Sequence, residues 1–359
     1  MEKFVLLILL LANFMVCRAQ EEYRINGKID GTSSEYLFLI SNENGKSDTL
    51  GTARIINGVF EFSGSVDAAQ AAYIVSADQK SIVPLILENT PFMINMNDRR
   101  ALVKGGEQQE IFAQFNKLNA DLIQVQNAIR QEYLQAERVG DKKKIEDLHE
   151  LFETAIAEAR AKEEELLRKH ADTYVAAYVV AAGAPQLEME ALRERYALLG
   201  DAAKQTIPGR SVASLIADME KFTVGNVVPD FTVTSQTGDS LSLYPVKGRL
   251  KLLVFWESTD PSSREENVNL LDIYQKYRLR GLEIISISRD SNVQAWEKAI
   301  NTDGMFWKQG IDPNSIVFDR YHVKTIPYTL LLDEENKIIA KSLKGSDLRK
   351  RIAELLKKK

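Results

Sequence analysis

The residues from which chemistry could be built are few. One cysteine, Cys17, and three histidines, His149, His170 and His322, stand in a chain of 359 residues. A thiolate is the nucleophile, the disulfide partner and the soft metal ligand of a protein, and a lone thiol has no resolving partner within the chain. The histidines show no i, i+4 pairing of the kind that brings two imidazoles onto one metal. His149 and His170 fall on helical patterns and read as surface positions, while His322 lies near Thr325-Ile326-Pro327 and has the better claim to a polar role. Glycine-rich phosphate loops and nucleophile elbows are absent. One further segment, Asp260-Pro261-Ser262-Ser263, follows an apolar run and opens a helical pattern. Asp is a strong N-cap, and Pro suits the first helical position because its missing N–H would be unpaired there. Glu265 and Glu266 are expected in the first turn, where negative charge complements the helix dipole. No catalytic residue, metal ligand or cofactor site is expected.

Residues 1–19 set Cys17 in context. Lys3 precedes an almost unbroken apolar stretch from Phe4 to Val16, and Cys17-Arg18-Ala19 puts small residues at −3 and −1 of a cleavage site. This is the pattern of a secretory leader, too short for the roughly 20 apolar residues of a membrane span. A lipid anchor on Cys17 is the alternative. Val16 stands where Gly, Ala or Ser would precede a lipidated cysteine, and Phe14 where Leu is usual, so soluble export is the expectation. Cleavage after Ala19 would leave a chain without cysteine, with 44 basic against 50 acidic residues and a net charge of −6. An acidic surface argues against sequence-independent nucleic-acid binding.

The elements fall into three stretches. Residues 20–103 alternate in short β-type runs: 23–27, 36–40, 53–56, 59–62, 72–75, 83–87 and 92–96. Turn signals at Asn44-Gly45 and Asn57-Gly58 imply an antiparallel sandwich, with a hairpin at Asn57-Gly58. After Lys104-Gly105-Gly106 the period changes. Phe115, Leu118, Leu122, Val125 and Ile129 share one helix face, as do Ile145, Leu148, Phe152, Ile156 and Ala159 beyond Gly140-Asp141. The spacing predicts an antiparallel helical hairpin, then helices over 174–182, 187–199 and 212–221, punctuated by Gly183-Ala184-Pro185 and Pro208-Gly209. The runs Lys142–Lys144 and Glu163–Glu165 read as solvated helix surface. From residue 223 to 359 strands and helices alternate: strand 250–256, helix 263–279, strand 282–288, helix 293–300, a hairpin of 329–332 with 337–341, and a final helix 347–358. That order predicts an α/β domain with a mixed sheet. Trp296 and Trp307 are expected in the core.

This last stretch resembles the thioredoxin superfamily, in particular its exported branch of TlpA/ResA-like thiol–disulfide oxidoreductases and AhpC/TSA peroxidases. The resemblance lies in Val224-Gly225-Asn226-Val227-Val228-Pro229-Asp230-Phe231, in Lys247-Gly248-Arg249 before Leu252-Leu253-Val254-Phe255-Trp256, and in Thr325-Ile326-Pro327-Tyr328-Thr329. Residues 20–103 are similar, more loosely, to a β-sandwich domain of unknown function that precedes such domains in exported Gram-negative proteins. The fold implied is an α/β thioredoxin-like C-terminal domain preceded by an all-β sandwich and a helical segment. The family carries a Trp-Cys-x-x-Cys turn after the first core strand. Aligned on Phe255-Trp256, the two cysteine positions hold Asp260 and Ser263. Neither side chain can form a mixed disulfide, and the peroxidase reaction also needs a thiolate. The family's loop proline, cis there, corresponds to Pro327; it serves either the fold alone or a groove that binds extended peptide by strand addition.

Three functions follow as expectations. The first is a non-catalytic protein- or peptide-binding module of the periplasm or cell envelope, with Trp256, Thr259, Ile326 and Pro327 as candidate contacts. The second is an oxidoreductase or peroxidase-family protein of redox homeostasis, borrowing a cysteine from a partner or using an uncleaved Cys17. The third is a structural cap in an envelope assembly.

Overall fold

A computed structural model describes residues 22–43, 47–97 and 101–357. The chain forms two compact units: one runs through Ala182 and includes Glu194–Arg210, the other joins Gly183–Arg193 to Ser211–Lys359.

The first unit opens with eight strands: β1 (Tyr23–Ile29), β2 (Tyr36–Ser41), β3 (Asp48–Arg54), β4 (Val59–Gly64), β5 (Gln70–Ser76), β6 (Ile82–Leu87), β7 (Pro91–Met96) and β8 (Ala101–Lys104). They form two four-stranded sheets, ordered β4-β1-β7-β8 and β3-β2-β5-β6. Strict alternation in β1 and β7 turns Ile25, Phe92 and Ile94 inward to meet Leu37, Leu39, Ile74 and Leu85 of the other sheet, all at most 1% exposed. Burying each such side chain contributes roughly 1.5–3 kcal/mol. The sandwich departs from the sequence reading in two respects. It is mixed, because β1 pairs in parallel with β7 while pairing antiparallel with β4. And the hairpin at Asn57-Gly58 is confined to its turn: Asn57 and Gly58 take φ of 50° and 75°, Ile56 and Val59 exchange backbone hydrogen bonds of 2.9 and 3.0 Å, and beyond that bridge the arms part at a corner, β3 and β4 passing into different sheets. The local turn chemistry was right, but the inward faces of the two runs pair with different neighbours. Asn44-Gly45 lies outside the described residues. At Gly27 the ring of Phe60 occupies the space a Cβ would need, 2.0 Å from that position.

Two long helices follow, α1 (Glu107–Val139) and α2 (Lys142–Lys169), antiparallel as the periodicity predicts. Gly140 ends α1 in the left-handed conformation that glycine adopts cheaply, and Asp141 caps α2 by accepting from Lys144 N at 3.0 Å. Gln109 of α1 accepts from Ile86 N at 2.8 Å, so the helix satisfies part of the outer edge of β6. Four shorter helices come next: α3 (Tyr174–Gly183), α4 (Met189–Ala197), α5 (Asp201–Lys204) and α6 (Ile207–Glu220). Pro208 and Gly209 do not separate helices; they sit in the first turn of α6, where a missing N–H costs nothing.

The second unit holds β9 (Thr232–Ser235), β10 (Ser240–Ser242), β11 (Leu250–Trp256), α7 (Pro261–Tyr277), β12 (Leu282–Ser288), α8 (Val293–Thr302), β13 (Lys308–Ile311), α9 (Ile316–Arg320), β14 (Tyr328–Leu332), β15 (Ile338–Lys341) and α10 (Gly345–Lys357). Its seven-stranded sheet runs β10-β9-β13-β12-β11-β14-β15, with β11, β12 and β13 parallel and β14 antiparallel to β11. All seven residues of β11 are buried, as befits an interior strand between β12 and β14, with one face under α7, α8 and α10 and the other under α9 and Phe222. This is the α/β architecture expected of residues 223–359. Lys251 is buried within β11, and its ammonium donates to Glu334 O at 3.0 Å and Asn336 Oδ1 at 2.5 Å. Among the described residues no helix is long and apolar enough to cross a membrane.

Candidate functional site

The parallel strands β11 and β12 end at the same level, since Trp256 pairs with Ser288, and the segments that follow them meet there. After Trp256 the chain turns through Glu257–Asp260 into α7. Asp260 adopts an extended conformation and its carboxylate accepts from Ser263 N at 2.7 Å, with Pro261 at the first helical position. The expected cap is present. Glu265 and Glu266 lie beyond the first turn expected of them: counted from Pro261, no acidic residue lies in the first turn of α7. Glu266 is instead buried, and both its oxygens accept from Gly345 N at 3.1 Å, at the start of α10.

Side chains distant in sequence hold the turn. Asp290, 4% exposed after β12, accepts from Ser258 N at 2.9 Å, Ser258 Oγ at 2.6 Å and Ser288 Oγ at 2.5 Å. Asp303 receives a bidentate pair of hydrogen bonds from Arg264, each 2.6 Å, and a third from Asn267 Nδ2 at 2.9 Å. The pairing with Asp303 holds the Arg264 guanidinium above its usual range. Arg264 also reaches Ser258 O at 3.3 Å, which links the two clusters. Nearer the surface, Glu257 pairs with Arg289 at 3.2 Å and accepts from Thr259 Oγ1 at 3.3 Å.

The sequence-predicted contacts divide. Thr259 is exposed and Asp260 half-exposed, whereas Ser263 is fully buried and its hydroxyl has no partner. Trp256 is corrected: at 0% exposure it belongs to the core beneath α7, because every β11 side chain is covered on one face or the other. The Ile326–Pro327 peptide is cis, and the register that pairs Phe255 with Tyr328 carries Pro327 to the end of β11, beside the turn. Pro327 is buried, Ile326 half-buried and Thr325 exposed. His322 turns to α6, with Nε2 2.9 Å from Asp218 and Phe222 edge-on at 5.5 Å. The Asp218 carboxyl is held below its usual range, first by Lys221 and then by His322, against the opposing effect of burial. His149 is exposed and packs on Tyr133; His170 is half-buried, and loss of solvent lowers its pKa. Trp296 and Trp307 are core residues, Trp307 donating to Ser286 at 2.8 Å.

Sequence reasoning missed Asp290, Arg264 and Asp303. Its available signal was the polar run Ser288-Arg289-Asp290 that closes a strand rich in isoleucine. The buried Asp290 and the half-buried Asp303 each accept three or more hydrogen bonds within the turn, and the Asp260 carboxylate occupies the helix end where a thiolate would be favoured. Among the described residues no group of acidic, histidine or cysteine side chains is arranged to hold a metal ion. The arrangement is a closed structural knot.

Comparison with known proteins matches two segments of the chain. Residues 224–341 match the AhpC/TSA family, and residues 23–112 match DUF4369, a domain of unknown function. The thiol-disulfide oxidoreductase ResA of Bacillus thuringiensis (strain Al Hakam) is 28% identical over 142 residues, 40% of this chain and 82% of the relative. ResA of Bacillus subtilis (strain 168) is 23% identical over 126 residues, 35% of this chain and 70% of the relative. The solved thioredoxin domain of a thiol-disulfide oxidoreductase from Bacteroides vulgatus is 32% identical, covering 37% of this chain and 98% of that one with a TM-score of 0.36.

Proposed function

Residues 224–341 are a thioredoxin-like domain of the AhpC/TSA family, in which the relatives are thiol-disulfide oxidoreductases, and we propose that this member is a non-catalytic module that binds protein or peptide. One observation carries the reading: the positions of the family's two cysteines hold a helix-capping Asp260 and a buried Ser263. Disulfide exchange requires a thiolate that attacks and a sulfur that resolves, and oxygen cannot replace either. The exposed Thr259 and the loop Thr325-Ile326-Pro327 are the contacts assigned to an extended segment, recognised by main-chain pairing. The leader pattern of residues 1–19 supports export, and we assign the protein to the periplasm or cell envelope of a Gram-negative bacterium, as a soluble species with domains over 20–103, 104–222 and 223–359.

The names of the relatives favour a second reading, an oxidoreductase that acts with a cysteine from elsewhere. Dithiothreitol-driven insulin reduction separates the two. The full chain and its Cys17→Ser variant are expected to give no turnover above the uncatalysed rate, and turnover by either would overturn the first reading. Binding is measured in parallel with unfolded, carboxymethylated ribonuclease as probe. Saturable binding weakened at least tenfold by Thr259→Arg or Pro327→Ala is expected; no binding, or binding indifferent to both changes, refutes the assigned face.

A further inference from the structure

The helical hairpin of the first unit carries a groove of about 540 Å³ for which the proposed function has no use. Its floor is apolar: Phe112 and Phe115 of α1 are buried, Leu122 and Ile156 half-buried, and Phe112 meets Tyr178 of α3 edge-to-face at 5.8 Å. Its rim is neutral except at two points. Asn116, Asn119 and Gln126 contribute carboxamides, and Arg160 and Glu163 contribute charge. Glu163 is already committed, since Arg195 holds it with two hydrogen bonds of 2.8 and 3.0 Å. Arg160 has no ion pair or hydrogen bond among the described residues. The groove therefore joins a trough of aromatic and aliphatic side chains to one uncompensated guanidinium.

We propose that this groove binds an amphipathic monocarboxylate, with an alkyl chain on the Phe112–Phe115–Ile156 floor and the carboxylate on Arg160. Small-molecule sites are clefts of roughly 300–1,000 Å³, mainly apolar, with few polar groups to fix orientation, and the planar guanidinium suits a carboxylate through paired hydrogen bonds. Charge complementarity selects this occupant over a second copy of the hairpin. Another α1–α2 pair would bring rows of glutamate and lysine against a rim that offers one free positive charge and three neutral amides.

Isothermal titration of the full chain with decanoate, kept below its micelle concentration, tests the assignment. One saturable site per chain is expected, with decyltrimethylammonium, equal in chain length and opposite in charge, at least tenfold weaker. Arg160→Gln alters an exposed side chain and is expected to weaken decanoate at least tenfold; Ala159→Trp fills the trough and is expected to abolish binding. Absence of saturable decanoate binding, equal affinity for the cation, or indifference to Arg160→Gln would overturn the proposal. So would sedimentation showing a dimer that Ala159→Trp dissociates, because the groove would then be an interface between copies.

Discussion

Placing thiols at both positions, with Asp260→Cys and Ser263→Cys together, is expected to create insulin-reducing activity where the proposed function expects none. The magnitudes permit it. Removing the Asp260 carboxylate breaks its 2.7 Å bond to Ser263 N, and loss of an N-cap costs about 1 kcal/mol. Ser263 offsets this: its hydroxyl is buried without a partner, a condition that costs about 1–3 kcal/mol, and cysteine is a small hydrophobe well suited to such a site. The double variant should unfold within about 4 °C of the parent, since 1 kcal/mol moves the midpoint of a domain of 150–250 residues by about 2–4 °C. With the acid gone, the exposed amide groups at the start of α7 favour a thiolate at position 260, and the existing cap shows that side chain already turned toward residue 263. Turbidimetric insulin reduction, with mass spectrometry before and after dithiothreitol, reads the outcome. A folded double variant that forms no reducible disulfide and leaves insulin intact would refute the claim that the turn keeps the family's geometry beneath its altered residues.

Two further expectations concern stability. Asp290→Ala strands three buried donors from Ser258 and Ser288, each costing at least about 1 kcal/mol, so calorimetry should show the midpoint falling by roughly 6–12 °C. A fall under 2 °C would mean the cluster is not holding the turn. Alkaline titration follows buried phenols: Tyr174, Tyr178 and Tyr321 are raised above 10, first of all by burial, and burial together with a hydrogen bond to Glu283 pushes Tyr274 up to about 12. Their folded values exceed the unfolded one, so this stability is fully present below pH 10 and lost as pH rises above it. Tyr274→Phe should flatten the decline between pH 10 and 12, measured by denaturant midpoints across that range; an unchanged slope would contradict the assignment.

What the sequence disclosed depended on how far apart the interacting residues lie. The strands β11 and β12 were legible to the residue because each is built on large aliphatic or aromatic side chains and has sharp ends. The Asp260 cap was legible because it spans three positions. Asp290 reaches Ser258 across 32 positions and Asp303 reaches Arg264 across 39, and no local pattern reports a partner so remote. β13 escaped because Lys308-Gln309-Gly310-Ile311 is short and only its last residue is a large apolar one. Glu266 was misjudged by its offset along the helix: it lies beyond the first turn of α7 and serves the start of α10. The corner at Asn57-Gly58 shows the same limit, since turn chemistry fixes a reversal of direction without fixing which sheet each arm joins.

The parallel pairing of β1 with β7 sets a clock. Ile25 pairs with Phe92, about 67 residues downstream, and synthesis proceeds at about 5–20 residues per second. When β1 emerges neither of its neighbours exists, and after β4 has followed, the row of backbone donors and acceptors on the β7 side still stays open to any other strand until β7 arrives. The hazard for this sandwich is thus one of timing. Slower elongation between residues 29 and 91 would lengthen the exposure to proteases and mispairing without altering a single contact of the finished fold.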